Sequence, residues 1–461
     1  MTTVQAARPT GLTPIIPPAP KVHAKDLPAW RVVRDFARDT LSTWPDYAFD
    51  VPLNRRRIFG IDGVLINDAD GVRQVMATAA PKYTRPVAFV RIFRPFSGNG
   101  LILADGAEWR SQRRVLAPVF TPAKVGRLLP HFQLAADNLV RRLEGQPTAN
   151  LSHSFQEATL EAVLRALFTL TDVDRRDRIA GMVRAYMAGP GTPNILDGFS
   201  RLEHSWSWAQ RGRRTFQRDW FAAIDEIVAE RKSQGATGHP ADLMDLLLAA
   251  RDAETGEQLS DAEVRDQCAT MLLAGFETTS RLLFWACYLL CLDQHEQGRL
   301  RAEIAAFPPA RASTLEHLRR WPSVRETLLE TLRLYPSAPL VTREAVERDT
   351  ILGIDILPGA QIFISPWVIH RHRKYWEQPT AFIPSRFKDN PSPWTSGSFM
   401  PFGAGPRICI GAAFAMAEAE TMLATLLSRF KISLADAEPV LPVGRITTMP
   451  SFEPQFRLER A

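Results

Sequence analysis

Phe402-Gly403-Ala404-Gly405-Pro406-Arg407-Ile408-Cys409-Ile410-Gly411 sets one cysteine in a glycine-rich loop, beside an arginine and just ahead of an Ala- and Leu-rich helical run. A thiolate is a soft ligand suited to iron, and a bound metal deprotonates a thiol outright. The positive end of the helix that follows favours the same anion. Glycines at 403, 405 and 411 let backbone N–H groups and a helix face come close to a flat cofactor and its sulfur ligand. Taken alone, Cys409 reads equally as a buried structural thiol, the usual fate of a free cysteine.

The string matches Phe-Gly-x-Gly-x-Arg-x-Cys-x-Gly, and in this the chain resembles the cytochrome P450 family. Six of the ten positions are the fixed ones of that pattern, which sets the structural-thiol reading aside. The resemblance implies a mainly α fold with a smaller β-rich part, built as one large domain. It implies haem b (iron protoporphyrin IX) with Cys409 as axial ligand to the iron, an arrangement that pushes electron density onto iron and favours O–O cleavage. No Cys-x-x-Cys-His attachment motif occurs, so the haem is expected to be held without covalent linkage. Phe402 and Gly411, at the two ends of the loop, are expected to lie against the cofactor.

A second motif lies upstream. Ser260-Asp261-Ala262-Glu263 is a capping box, and the helix it opens is expected to run to about Leu292. Its middle reads Ala274-Gly275-Phe276-Glu277-Thr278-Thr279. Small residues at 274 and 275 would leave room for a planar cofactor. Glu277 and Thr278 set an acid beside an alcohol, a means of relaying protons, and a mid-helix Thr tends to bond the i−4 carbonyl. A small-residue helix crossing would explain the same string. The family pattern Ala/Gly-Gly-x-Asp/Glu-Thr-Thr/Ser points instead to Ala274 against the cofactor and to Glu277 and Thr278 as catalytic residues.

Glu330-Thr331-Leu332-Arg333 sets opposite charges at i, i+3 on a helix that ends before Pro336. Downstream lies Phe382-Ile383-Pro384-Ser385-Arg386-Phe387. In the family fold the second arginine joins the Glu and Arg to lock the core behind the cysteine loop; Ser385 stands where the family usually has Glu. Trp109-Arg110-Ser111-Gln112-Arg113 resembles the family helix that clamps a haem propionate through Trp109 and Arg113, and arginine forks suit carboxylates. Arg343 and Arg407 complete that set by resemblance. The histidines show no ligand-like spacing.

The chain has 461 residues, 45% hydrophobic and 23% charged, a globular composition able to bury a large core. Cys268, Cys287, Cys291 and Cys409 form neither a disulfide framework nor a paired zinc pattern, which suits a reducing cytoplasm. No apolar run of about 18 residues or more occurs. The Pro-rich segment Ala6 to Pro20 lacks the regions of a signal peptide. Residues 1–30 are therefore expected to be a Pro-rich tail, 31–461 the haem domain, and the protein soluble and cytoplasmic, without a transmembrane anchor. Net charge is +6, carried almost wholly by arginine; the arginines are dispersed and no nucleic-acid motif occurs. Two short strands are expected within Arg55 to Asp68 around a turn at Asp62-Gly63, helices from about Asp70 to Leu334, and strands from Thr350 to Ile369.

These features together predict a haem-thiolate monooxygenase that inserts one atom of O2 into an apolar organic substrate. Electrons would come from a separate ferredoxin or flavodoxin and its NAD(P)H reductase. The rival readings are a peroxygenase, an isomerase or a nitric oxide reductase on the same fold, and a non-catalytic haem sensor. By resemblance the loop from Phe89 to Phe96, with Ala338 to Val341 and Ile446, lies over the distal face. Arg91 and Arg94 stand within that loop, where they could meet a substrate carboxylate.

Overall fold

A computed structural model describes residues 13–169, 172–192, 197, 203, 208–234, 242–388 and 397–460. Its axis is the helix Asp261–Leu292, whose capping box closes as the sequence predicts: the Ser260 hydroxyl accepts from the Glu263 N–H, and the Glu263 carboxylate accepts from the Ser260 N–H at 2.8 Å. Beyond its first turn the helix is buried on nearly every face. It packs on Leu151–Phe168, Trp208–Gln234, Pro322–Leu334, Ala412–Arg429 and Val87–Ser97. A helix apolar all round has to be buried in this way. Among the described residues no helix is long and apolar enough to cross a membrane.

The β part is a five-stranded sheet in the order Leu53–Ile58, Ile61–Ile66, Gln361–Ile364, Val341–Ala345, Tyr83–Thr84, with three smaller sheets. The first hairpin turns at Phe59-Gly60, both with positive φ (47° and 83°), and not at Asp62-Gly63. Asp62 instead faces Arg57 across the hairpin and pairs with the side chain of Arg55. In this register Val64 and Ile66 enter one core cluster and Leu65, on the other face of the strand, enters a second. Burial overrides the better turn chemistry of Asp-Gly. The strands expected through Ile369 stop at Ile364. Ser365 caps a short helix, Pro366–Ile369, with proline at its first position.

Val87–Ser97 is a helix rather than a loop. Phe96 belongs to the core, 4.5 Å from Trp220 between ring centroids. The described part of the N-terminal segment, from Thr13, lies extended along the body. Ile15 bridges Phe382, the Pro18 carbonyl accepts from the Tyr335 hydroxyl at 2.8 Å, and a helix begins at Ala29, just inside the expected tail. Residues 1–12 of that tail lie outside the described residues.

Behind the cysteine loop, Glu330, Arg333 and Arg386 are wholly removed from solvent. Arg333 grips Glu330 with two bonds, at 2.7 and 2.8 Å, and donates to the carbonyls of His370, Pro379 and Ala381. Arg386 reaches Glu330 at 3.3 Å. Beside it the Ser385 hydroxyl and one Arg386 nitrogen are buried without partners among the described residues, as expected where a serine stands in the usual place of Glu.

Candidate cofactor and active site

Cys409 stands just ahead of the helix Ala412–Arg429, where its N–H donates to the Phe402 carbonyl at 2.8 Å and closes the loop. Protein packs densely around it, and burial pushes the thiol pKa up, while the Gly411 N–H and the Arg113 guanidinium pull it down. Its own surface is nonetheless open. The thiol is therefore surrounded by protein yet open to contact. The other three cysteines lie on the central helix, and burial raises the pKa of each. No group of three His, Cys, Asp or Glu side chains suited to a metal occurs among the described residues.

Ala274 and Ala338 are likewise exposed although the segments carrying them are core, and Thr278 is half-open. The Thr278 hydroxyl donates to the Ala274 carbonyl at 2.7 Å, while the Thr278 carbonyl accepts from Ser337 at 2.9 Å. Gly275 meets a neighbouring helix. A Cβ there would come within 2.9 Å of Val163, so this glycine allows the close crossing with Leu151–Phe168. Gly405 is similar, since its Cβ would strike the Met76 carbonyl at 2.2 Å. Gly411 does guard the sulfur: a Cβ there would sit 3.9 Å from Cys409 Sγ.

Trp109, on the helix Gly106–Leu116, lies under Arg407, whose guanidinium is 4.5 Å from the ring centre. Arg407 pairs with Asp105, as does Arg85 at 2.9 Å. Arg343 stands close enough to Arg407 to feel its charge, and its guanidinium has one hydrogen bond, to the Thr342 carbonyl at 2.8 Å. Three guanidinium groups thus share one carboxylate. Burial first, and then mutual repulsion, push Arg85 down to about 9 and Arg343 to about 10. Uncompensated charge in a desolvated setting is costly, and a cofactor bearing carboxylates would relieve it. The accessible thiol, the exposed alanines and this cluster of arginines fit haem b.

Arg113, on the same helix as Trp109, stands close enough to Cys409 for its charge to be felt there. Arg85 and Asp105 had no sequence signal, because they join Arg407 only through the fold. Arg91 and Arg94 are committed elsewhere, to Asp197 at 3.1 Å and Glu203 at 2.5 Å. Glu277 is buried and paired with Arg281 at 2.8 Å. An i, i+4 acid–base pair was the signal for that contact.

The Cytochrome P450 family description matches residues 54–451. A cyclooctatin synthase of Streptomyces melanosporofaciens is 32% identical over 356 residues, 74% of each chain. A cytokinin hydroxylase of Arabidopsis thaliana is 28% identical, covering 79% of this chain and 73% of its own. The crystal structure of the cytochrome P450DA heme domain superposes with a TM-score of 0.79 at 24% identity, over 96% of this chain and 98% of that one. The chain belongs to the cytochrome P450 family, monooxygenases built around haem b with a cysteine thiolate as axial ligand.

Proposed function

We propose that the chain is a monooxygenase of apolar organic molecules in which Cys409 ligates haem b and Thr278 and Glu277 manage protons on the distal side. The observation that carries this reading is that Cys409, Ala274 and Ala338, and in part Thr278, keep open surface although the segments that carry them belong to the core. Haem b bound there supplies the activation of O2, with one oxygen atom entering a C–H or C=C bond of the substrate and the other leaving as water. Arg85, Arg343 and Arg407 hold its carboxylates, and Trp109 supports Arg407 from beneath.

The helix Val87–Ser97, which by resemblance covers the distal face, argues for an apolar substrate. Phe89 and Phe93 are stacked, with centroids 4.2 Å apart, and the two arginines on their helix are already paired with acids. A substrate carboxylate therefore finds no free cation on that helix among the described residues. In this reading Thr278 donates a hydrogen bond on the distal side once its hydroxyl turns from the Ala274 carbonyl, where it now rests at 2.7 Å. Electrons come, in this reading, from a separate ferredoxin or flavodoxin with its reductase. An acidic partner suits the +6 charge.

Spectral titration with apolar compounds tests substrate class, and turnover with donor plus NAD(P)H against turnover with peroxide alone tests the reaction. Donor-dependent product supports the proposal. Product with peroxide alone, and none with the donor, would favour a peroxygenase.

A further inference from the structure

His370 joins the clamp around Glu330 to the segment that leads into the cysteine loop. Its side chain is wholly buried, and its backbone carbonyl accepts from Arg333 at 2.9 Å. On the other side its ring Nε2 accepts from the Met400 N–H at 2.9 Å. A backbone N–H can only donate, so Nε2 carries the lone pair and the ring proton sits on Nδ1. Burial, then repulsion from Arg333 and Arg371, pushes the ring down to about 3, which keeps that acceptor neutral and available.

Met400 leads straight into the loop. Its carbonyl accepts from the Gly403 N–H at 3.0 Å, closing a turn in which Gly403 takes a φ of 79° that side chains rarely adopt. The turn sets down Phe402, whose carbonyl accepts from the Cys409 N–H at 2.8 Å. The residue before Met400 is seated on the same group. The Phe399 ring lies 5.0 Å from that of His370 between centroids, 4.9 Å from Phe387 and 5.9 Å from Trp376. Stacking and one hydrogen bond thus hold Phe399 and Met400 to the residue whose carbonyl Arg333 grips. Hydrogen bonds around a ligating side chain orient it and tune the metal it holds.

We propose that His370 is a positioning residue for the thiolate: its ring fixes Met400 and, through the Met400–Gly403 turn, the Phe402 carbonyl that holds Cys409. The inference rests on the reading of Cys409 as the haem ligand. Without an acceptor at Nε2 the buried Met400 N–H is left unpaired, a cost relieved when the turn swings out towards water. Phe402 moves with the turn, and Cys409 loses its anchor. The thiolate then takes a proton from water more readily.

The test follows the loss of the red-shifted Soret band from the reduced carbon monoxide complex of the holoenzyme, at one temperature well below unfolding. His370→Phe keeps a ring against Phe399 but offers no acceptor, and should lose the band roughly 10-fold faster than the parent, the effect of one unpaired buried donor. His370→Gln carries an amide oxygen at the level of Nε2 and should largely restore the parent rate. Ile432→Ala opens a cavity under the strand Phe430–Leu434, away from the loop; it should lower Tm and leave the rate unchanged. The proposal is overturned if His370→Phe keeps the parent rate, if His370→Gln is as fast as His370→Phe, or if Ile432→Ala accelerates the loss as much. Should the phenylalanine variant hold no haem, His370→Asn takes its place, because its shorter side chain stops at the level of Nδ1 and leaves the same donor unpaired. The reading of Cys409 is judged apart from these rates, by whether Cys409→Ala removes the band at all.

Discussion

Replacing Arg333 by alanine tests how the cysteine loop is held. All of the Arg333 side chain is buried, and it makes two bonds to Glu330 and three to backbone carbonyls at 2.6–2.9 Å. Truncation leaves the Glu330 charge in the interior with only Arg386, at 3.3 Å, as cation. Breaking a buried pair in this way costs about 3–5 kcal/mol. Each orphaned carbonyl adds on the order of 1 kcal/mol where water cannot reach it. Against a total stability of roughly 5–15 kcal/mol, that is enough to leave much of the protein unfolded or without haem. The carbonyls of His370, Pro379 and Ala381 belong to the segment that leads into the loop, so haem loading should fail before solubility does. Expression, haem-to-protein ratio and thermal unfolding read the effect. Arg333→Lys keeps the charge but loses the fork, and should fall between parent and alanine. An Arg333→Ala protein with full haem and a Tm near the parent would refute the reasoning.

Thr278→Ala should still bind substrate and consume NAD(P)H, but form less product per cofactor and release more hydrogen peroxide; unchanged coupling would remove the hydroxyl from the proposed chemistry. Arg85→Ala should speed haem loss to an acceptor globin by roughly 10-fold or more, the worth of one charged hydrogen bond, and an unchanged rate would take Arg85 out of the propionate rim. Glu418 is fully buried and neither of its oxygens completes a hydrogen bond. Burial drives its carboxyl well above the ordinary range, and the nearby Thr279 hydroxyl counters this only in part. Neutral when folded and ionised when unfolded, it should cost about 1.4 kcal/mol of stability per pH unit above the ordinary carboxylate pKa. Glu418→Gln should therefore flatten the loss of stability as pH rises from about 5 to 8, and an unchanged slope would contradict the assignment.

What the sequence carried locally, it carried well. Cys409 and its loop are contiguous, and the capping box at Ser260 acts within one turn, so both were legible without the fold. Groupings made across the chain were not. Arg85 and Asp105 meet Arg407 from more than 300 residues away in sequence, and no spacing rule joins them. The glycines carry a second reason invisible in the sequence: Gly275 and Gly405 are small where Val163 and the Met76 carbonyl come close. The Phe59-Gly60 turn shows strand register outranking turn propensity. Arg281 was within reach, four residues after Glu277, but its burial, which turns a common surface pair into a seal on the acid, belongs to the tertiary structure alone.

The central claim, that the Cys409 thiolate holds the haem, is tested most directly by the Soret band of the reduced carbon monoxide complex. The parent protein should show the strong red shift of thiolate ligation, and Cys409→Ala should lose it whether or not haem is retained. A red-shifted band that survived Cys409→Ala would contradict the account.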